Sequence, residues 1–122
     1  MKFHTTTNAP AAIGPYSQAV EVNRLLYTSG QIALTPEGNF IDGGVKEQTM
    51  QVFKNIDAVL KNANRDRNSV FKTTIFLASM DDFVIVNEIY AEYFGNHKPI
   101  RSTVAVKTLP KNALVEIDLI AQ

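Results

Sequence analysis

The sequence predicts an α/β domain of the α+β kind, a mixed sheet with two helices packed on one face. Two observations carry that prediction. Short segments with alternating apolar residues interleave with two longer segments of helical period, in the order β-β-α-β-α-β-β. The 122 residues, 45% of them hydrophobic and 20% charged, suffice for one core, so 1–122 is read as one domain.

Residues 1–15 are polar and proline-bearing and predict a shaped loop, with Asn8-Ala9-Pro10-Ala11-Ala12-Ile13-Gly14-Pro15 its most constrained part. Ser17–Val22 and Leu25–Ser29 alternate on either side of Asn23-Arg24 and predict a hairpin, although Asn-Arg is a poorer turn than Asn-Gly. Gly30 then falls in extended context, where glycine marks a bulge or a close approach to the backbone. Turns are expected at Thr35–Asn39 and Asp42–Gly44. From Val45 the period changes. Val45, Thr49, Val52, Phe53, Ile56, Val59, Leu60 and Ala63 form one stripe, and Lys46, Glu47, Lys54 and Lys61 fill the other face. That pattern predicts an amphipathic helix of about 18 residues.

Val70–Ser79 is rich in β-formers and reads as a central strand. Asp81 or Asp82 is expected to cap a second helix through Phe83, Val86, Tyr90, Tyr93 and Phe94, closed by Gly95; its aromatics read as core rather than as a stacking platform. Arg101–Thr108 and Leu114–Ala121 alternate about a turn at Leu109–Asn112 and read as a second hairpin. Two helices on one face leave the other face bare, which favours burial in an oligomer. A barrel closed within one chain is the competing solution.

Composition excludes several classes of function. Twelve Lys plus Arg balance twelve Asp plus Glu, so the chain lacks the broad positive footprint of a nucleic-acid binder. Without cysteine there is no disulfide, no thiolate nucleophile and no Cys-ligated metal. No run reaches the apolar length of a membrane span and no signal-peptide core opens the chain, so a soluble cytoplasmic domain is expected. Dinucleotide, P-loop, zinc-protease and nucleophile-elbow motifs are missing, and no His/Asp/Glu cluster has metal-ligand spacing. His4 and His97 read as structural or solvated.

A few residues stand out. Arg101 opens a strand after Lys98-Pro99-Ile100; its planar fork suits a carboxylate or phosphate, though a surface arginine in a weak ion pair is the commoner case. Glu116 lies mid-strand on a face with Leu114, Asp118 and Ile120; it is either solvated or held in a cleft as a general acid/base. Tyr16, after Gly14-Pro15, is a rigidly placed phenol or a packed aromatic. Asn87, one residue past an apolar helix position, reads as exposed before it reads as a buried polar group with a task.

Taken together, several blocks resemble the RidA (YjgF/YER057c/UK114) family across essentially the whole chain. They are Ala11-Ala12-Ile13-Gly14-Pro15-Tyr16-Ser17-Gln18-Ala19, Thr28-Ser29-Gly30-Gln31-Ile32, Gln48-Thr49-Met50-Gln51 with Asn55, Val86-Asn87-Glu88-Ile89-Tyr90 with Tyr93-Phe94, and Arg101-Ser102-Thr103-Val104 followed by Leu109-Pro110-Lys111 and Val115-Glu116-Ile117. The resemblance implies a chorismate-mutase-like (bacillus-type) fold assembled as a homotrimer with clefts between subunits. It also implies hydrolysis of reactive 2-imino acids, 2-iminopropanoate and 2-iminobutanoate, to 2-keto acids and ammonia, protecting pyridoxal-phosphate enzymes.

In that scheme Arg101 grips the substrate carboxylate and Glu116 holds and activates water. Tyr16 and Ser29 line the pocket, Gly30 lets the ligand approach the backbone, and Asn87 and Thr103 complete the polar lining. No cofactor and no metal is implied, because an imine is already electrophilic. Two positions depart from the family pattern: Thr103 stands where many relatives have cysteine, and Ile100 where many have alanine or proline. The bulk of Ile100 is expected to narrow the pocket and shift preference among small side chains. Two other readings stay open: a regulatory trimer that binds keto acids without turnover, and an RNA-directed translation inhibitor or ribonuclease, which the neutral charge disfavours.

Overall fold

The computed structural model describes residues 1–122 and places six strands in one mixed sheet. They are β1 (Lys2–His4), β2 (Ala19–Val22), β3 (Leu25–Thr28), β4 (Val70–Leu77), β5 (Ile100–Ala105) and β6 (Val115–Ala121). Their spatial order is β1-β2-β3-β6-β4-β5, and every neighbouring pair is antiparallel except β4 and β5. Helices α1 (Val45–Asn62) and α2 (Phe83–Phe94) lie together on one face.

Alternation along the two central strands decides which face is which. Val115, Ile117, Leu119 and Ala121 of β6 are buried, as are Val70, Thr73, Ile75 and Leu77 of β4. Onto this surface pack Val52, Phe53, Ile56, Val59 and Leu60 of α1 and Val86, Tyr90, Tyr93 and Phe94 of α2. Each fully buried Leu, Ile or Val contributes roughly 1.5–3 kcal/mol. Phe53 anchors the helix pair, stacked on Tyr93 at 4.1 Å between ring centroids and meeting Tyr90 and Phe94 edge-on at 6.2 Å.

The opposite face carries no helix. One row of paired residues crosses all six strands there: Phe3, Val20, Tyr27, Ile120, Lys72 and Ile100. Apart from Lys72 the row is apolar, and Phe3, Tyr27, Ile100 and the nearby Val104 are exposed in the single chain. A closed barrel within one chain is therefore not the solution adopted. No helix is long and apolar enough to cross a membrane.

Four expectations are corrected. The first 15 residues are not all loop, because Lys2–His4 pair with the edge of β2 and bury His4 against Glu21, Nε2 to Oε2 3.2 Å. The last two strands are not a hairpin: β4, α2 and β5 form a crossover unit that sends β5 outward, parallel to β4, and leaves β6 to fill the gap between β3 and β4. β5 ends at Ala105, since beyond Val106 the chain turns to bury Leu109 against Ile32 and Leu34. Asp82 stands at the N-cap of α2 as expected, but neither it nor Asp81 caps the helix through its side chain; Ser79 instead accepts from the Asp81 N–H at the start of a short 3₁₀ turn, Met80–Asp82, that leads into the helix. The hairpin turn is built as expected despite its composition, Asn23 and Arg24 both taking the left-handed region (φ 51° and 67°) that matches the strand twist.

Candidate active site

Past Thr28 the third strand continues to Gln31, which exchanges two backbone hydrogen bonds with Ile117, at 2.8 and 3.1 Å. Tyr27 pairs with Ile120, so residues 28–30 face only 118 and 119. One residue is extra, which makes a bulge. The Thr28 hydroxyl fills the gap in the ladder by accepting from the Leu119 N–H at 3.0 Å. The side chain of Glu116 lies across the bulge: a Cβ on Gly30 would sit 2.0 Å from its Oε1 and 2.7 Å from its Cδ. Both features expected of this glycine, the bulge and the close approach, are present. The group that approaches is the Glu116 carboxyl, where the resemblance implied a ligand.

Glu116 and Gly30 line a cleft of about 410 Å³ together with Tyr16 and Ser29, a size within the range of small-molecule sites. Pro10, Ala11, Ile13, Ile32, Leu34 and Pro110 give it apolar walls; Gln18, Thr28, Gln31 and Asp118 add polar ones. Gln18 holds the N-terminal wall in place. Its buried amide accepts from the Thr6 N–H at 2.7 Å and donates to the carbonyls of Thr6 and Pro10 at 3.1 and 2.7 Å. The Tyr16 ring folds back over Gly14, and its hydroxyl accepts from the Ile13 N–H at 3.3 Å. Ser29 donates its hydroxyl proton to the Ser17 carbonyl at 2.6 Å. Toward a ligand it therefore acts as an acceptor.

The electrostatics single out the carboxyls. Burial pushes the Glu116 carboxyl above its ordinary range, and the charge of Asp118 adds to the rise. Asp118 is raised as well, by burial, while Thr74 across the ladder and the Lys72 ammonium oppose that rise. No group of three or more His, Asp or Glu residues is placed to hold a metal.

Arg101, Asn87 and Thr103 lie elsewhere. Arg101 pairs with Thr73 and projects on the helix side of the edge strand β5, whereas Glu116 pairs with Phe76 and projects on the bare side. One chain therefore divides the predicted residues into two groups. The Arg101 guanidinium is exposed and oriented: it donates to Asn87 Oδ1 at 2.8 Å and lies over the Tyr90 ring, 4.7 Å from its centroid. Tyr90 is itself fixed by a 2.8 Å hydrogen bond to Thr73. Such a cation is pre-organised without being neutralised. Asn87 thus has a definite task, holding Arg101. Thr103, two residues along the same face, has a buried hydroxyl with no hydrogen-bond partner in the single chain. Ile100 lines no part of its own chain's cleft.

Sequence reasoning passed over Gln18, Thr28 and Asp118. Asp118 was legible as the alternation partner of Glu116. The other two act through backbone groups outside their own segments, Gln18 on Thr6 and Pro10 of the preceding loop and Thr28 on Leu119 of the last strand, and neither contact leaves a periodic signal.

Comparison with known proteins agrees with this fold. The family model described as endoribonuclease L-PSP matches residues 6–122. A mouse protein named 2-iminobutanoate/2-iminopropanoate deaminase is 51% identical over 121 residues, covering 98% of this chain and 90% of the mouse protein. The crystal structure of YyfA from Yersinia pestis, described as a member of the conserved Rid protein family, superposes with a TM-score of 0.96 at 50% identity, over 98% of this chain and 97% of that one. The structure of E. coli TdcF with bound serine superposes with a TM-score of 0.94 at 36% identity, over 99% and 98% of the two chains. The chain belongs to the RidA (YjgF/UK114) family, the family of the endoribonuclease L-PSP model.

Proposed function

We propose that the protein hydrolyses small 2-imino acids, 2-iminopropanoate and 2-iminobutanoate, to the 2-keto acid and ammonia. The observation that carries this reading is the seating of Glu116, a half-buried carboxyl held over Gly30 in a cleft of small-molecule size. The mouse relative's name supplies the substrate class. Glu116 takes a proton from water as the new C–O bond forms to the imine carbon and the C=N π electrons pass to the protonated nitrogen. It returns that proton to the amine, then takes the hydroxyl proton of the carbinolamine as the C–N bond breaks, so that the carbonyl closes and ammonia leaves; passing that second proton to ammonia as ammonium restores the carboxylate. The imine is already electrophilic, so the residues bind, orient and move protons, and the reaction needs no cofactor.

A 2-imino acid carries a carboxylate, and the exposed fork of Arg101 is the group suited to it. Within one chain Arg101 and Glu116 sit on opposite sides of the sheet. A homotrimer in which the β5 edge of one subunit closes the cleft of the next would join them. The apolar row on the bare face and the unpaired outer edge of β5 support that assembly. In the assembly Tyr16 and Ser29 line the pocket, the Gly30 backbone adjoins it, and the unpartnered Thr103 hydroxyl gains a partner. The reading puts the protein in the cytoplasm, beside the enzymes that release imines. An RNA-directed role fits less well, because the two cleft carboxyls repel phosphate and a chain of zero net charge offers it no broad attraction.

The test is a coupled assay in which a serine or threonine dehydratase generates the imine and semicarbazide competes for it. Wild type suppresses semicarbazone formation, while Arg101→Ala and Glu116→Gln do not. If wild type fails to suppress it, and binds keto acids instead, the protein is a ligand-binding trimer.

A further inference from the structure

Resting on the deaminase reading of the cleft, we propose that Asp118 is a positioning residue for Glu116: a fixed negative charge that makes Glu116 the carboxyl on which the travelling proton rests. The two side chains lie on the same face of β6, two residues and about 7 Å apart along the strand. Both line the cleft. Their surroundings differ in a way that assigns the roles.

Asp118 sits directly across the ladder from Thr74, and Lys72 Nζ donates to Thr74 Oγ1 at 3.3 Å. Burial raises Asp118 too, but a hydroxyl and a cation back it and oppose that rise. Glu116 has neither. Its ladder partner is Phe76, and its carboxyl lies over the bare backbone of Gly30. The charged and titratable groups facing it are few. Its own strand offers Asp118, β4 offers Lys72 beyond Thr74, and the N-terminal loop offers the Tyr16 phenol. Residues 28–34 offer no charged group, and of the turn Pro110–Asn112 only Pro110 lines the cleft, with Lys111 outside it. In the proposed trimer the neighbour's Arg101 adds a cation once substrate is absent.

Two carboxyls with unequal surroundings divide their labour. Burial, and then the charge of Asp118, raise the proton affinity of Glu116. Glu116 is thereby a stronger base toward the attacking water, and it hands the water's proton to the departing nitrogen. Asp118 acts through its charge and exchanges no proton. Without its charge, Glu116 would ionise at lower pH.

The experiment compares pH profiles of kcat/KM for wild type, Asp118→Asn and Asp118→Glu, with a carbon-13 NMR titration of the Glu116 carboxyl in the substrate-free protein. The expected result is an acid limb moved to lower pH in Asp118→Asn. The variant-to-wild-type ratio at about pH 5 then exceeds the ratio at about pH 8 by about threefold. The Glu116 resonance titrates at lower pH in the same variant, and Asp118→Glu restores both. Asp118→Ser replaces the amide if that variant does not fold. Loss of activity by one factor at every pH, with the Glu116 titration unmoved, overturns the proposal. Should wild type not deaminate imines at all, the functional reading fails, and the NMR titration still decides the role of Asp118.

Discussion

Gly30→Ala tests the catalytic geometry most directly. A methyl group there would lie 2.0 Å from Glu116 Oε1, 2.7 Å from Cδ and 2.9 Å from Cγ. Ordinary non-bonded contacts begin near 3.5 Å, so the carboxylate has to retreat by more than about 1 Å. Gly30 does not occupy the left-handed region, and alanine strains no backbone there. The fold should therefore survive, because the group that moves is the flexible end of a half-exposed side chain. A catalytic base displaced by about 1 Å costs on the order of 100-fold in rate. The assay is kcat/KM for 2-iminobutanoate by semicarbazide competition, with thermal unfolding in parallel. Gly44→Ala, where an added Cβ meets nothing within 4 Å, is the control. The decisive measurement is the double variant with Glu116→Gln. If the alanine acts by moving Glu116, it adds almost nothing once that carboxylate is gone. Activity within about twofold of wild type in a folded Gly30→Ala protein, or full additivity in the double variant, would refute the reasoning.

The remaining predictions concern the pH limb, the arginine, the core and the bare face. With Glu116 as base, kcat/KM falls as pH drops through a value above the ordinary 4.5, since burial and then Asp118 raise that carboxyl; Glu116→Gln removes the limb. The same upward shift makes its stability contribution present below the ordinary value and lost as pH rises through the raised one. Asn87→Ala frees the Arg101 guanidinium from its 2.8 Å partner, and steady-state kinetics should show KM rising about threefold to tenfold, with a smaller change in kcat. Phe53→Ala removes the ring that three other aromatics meet and should cost about 3–5 kcal/mol in denaturant unfolding. Val104→Asp puts a charge on the bare apolar face; sedimentation should then find monomers, with loss of activity and an unchanged far-UV spectrum.

Much of this protein follows from local pattern. The Val45 helix begins where its period begins and runs 18 residues, because a stripe of Val, Phe, Ile and Leu can be buried only in that conformation. Alternation alone marks Val115, Ile117 and Leu119 as core, and so puts Glu116 and Asp118 on the other face. Gly30 announces the bulge, since no other residue leaves that space. What local pattern does not encode is which strands meet. Pairing is a contest between segments far apart in the chain, and the last strand takes the place between β3 and β4 while the β4-α2-β5 crossover puts β5 at the edge. That outcome lays Glu116 over Gly30, 86 positions earlier in the numbering, and gives Asp118 its Thr74 neighbour. It also sends Arg101 to the far side of the sheet, where a single chain cannot use it with Glu116. Local pattern carries both helices, the buried faces of the central strands and the chemical groups, while the short β1 and the end of β5 depend on partners elsewhere in the chain. The meeting of those groups comes from long-range hydrogen bonding and burial, which act between segments rather than within them.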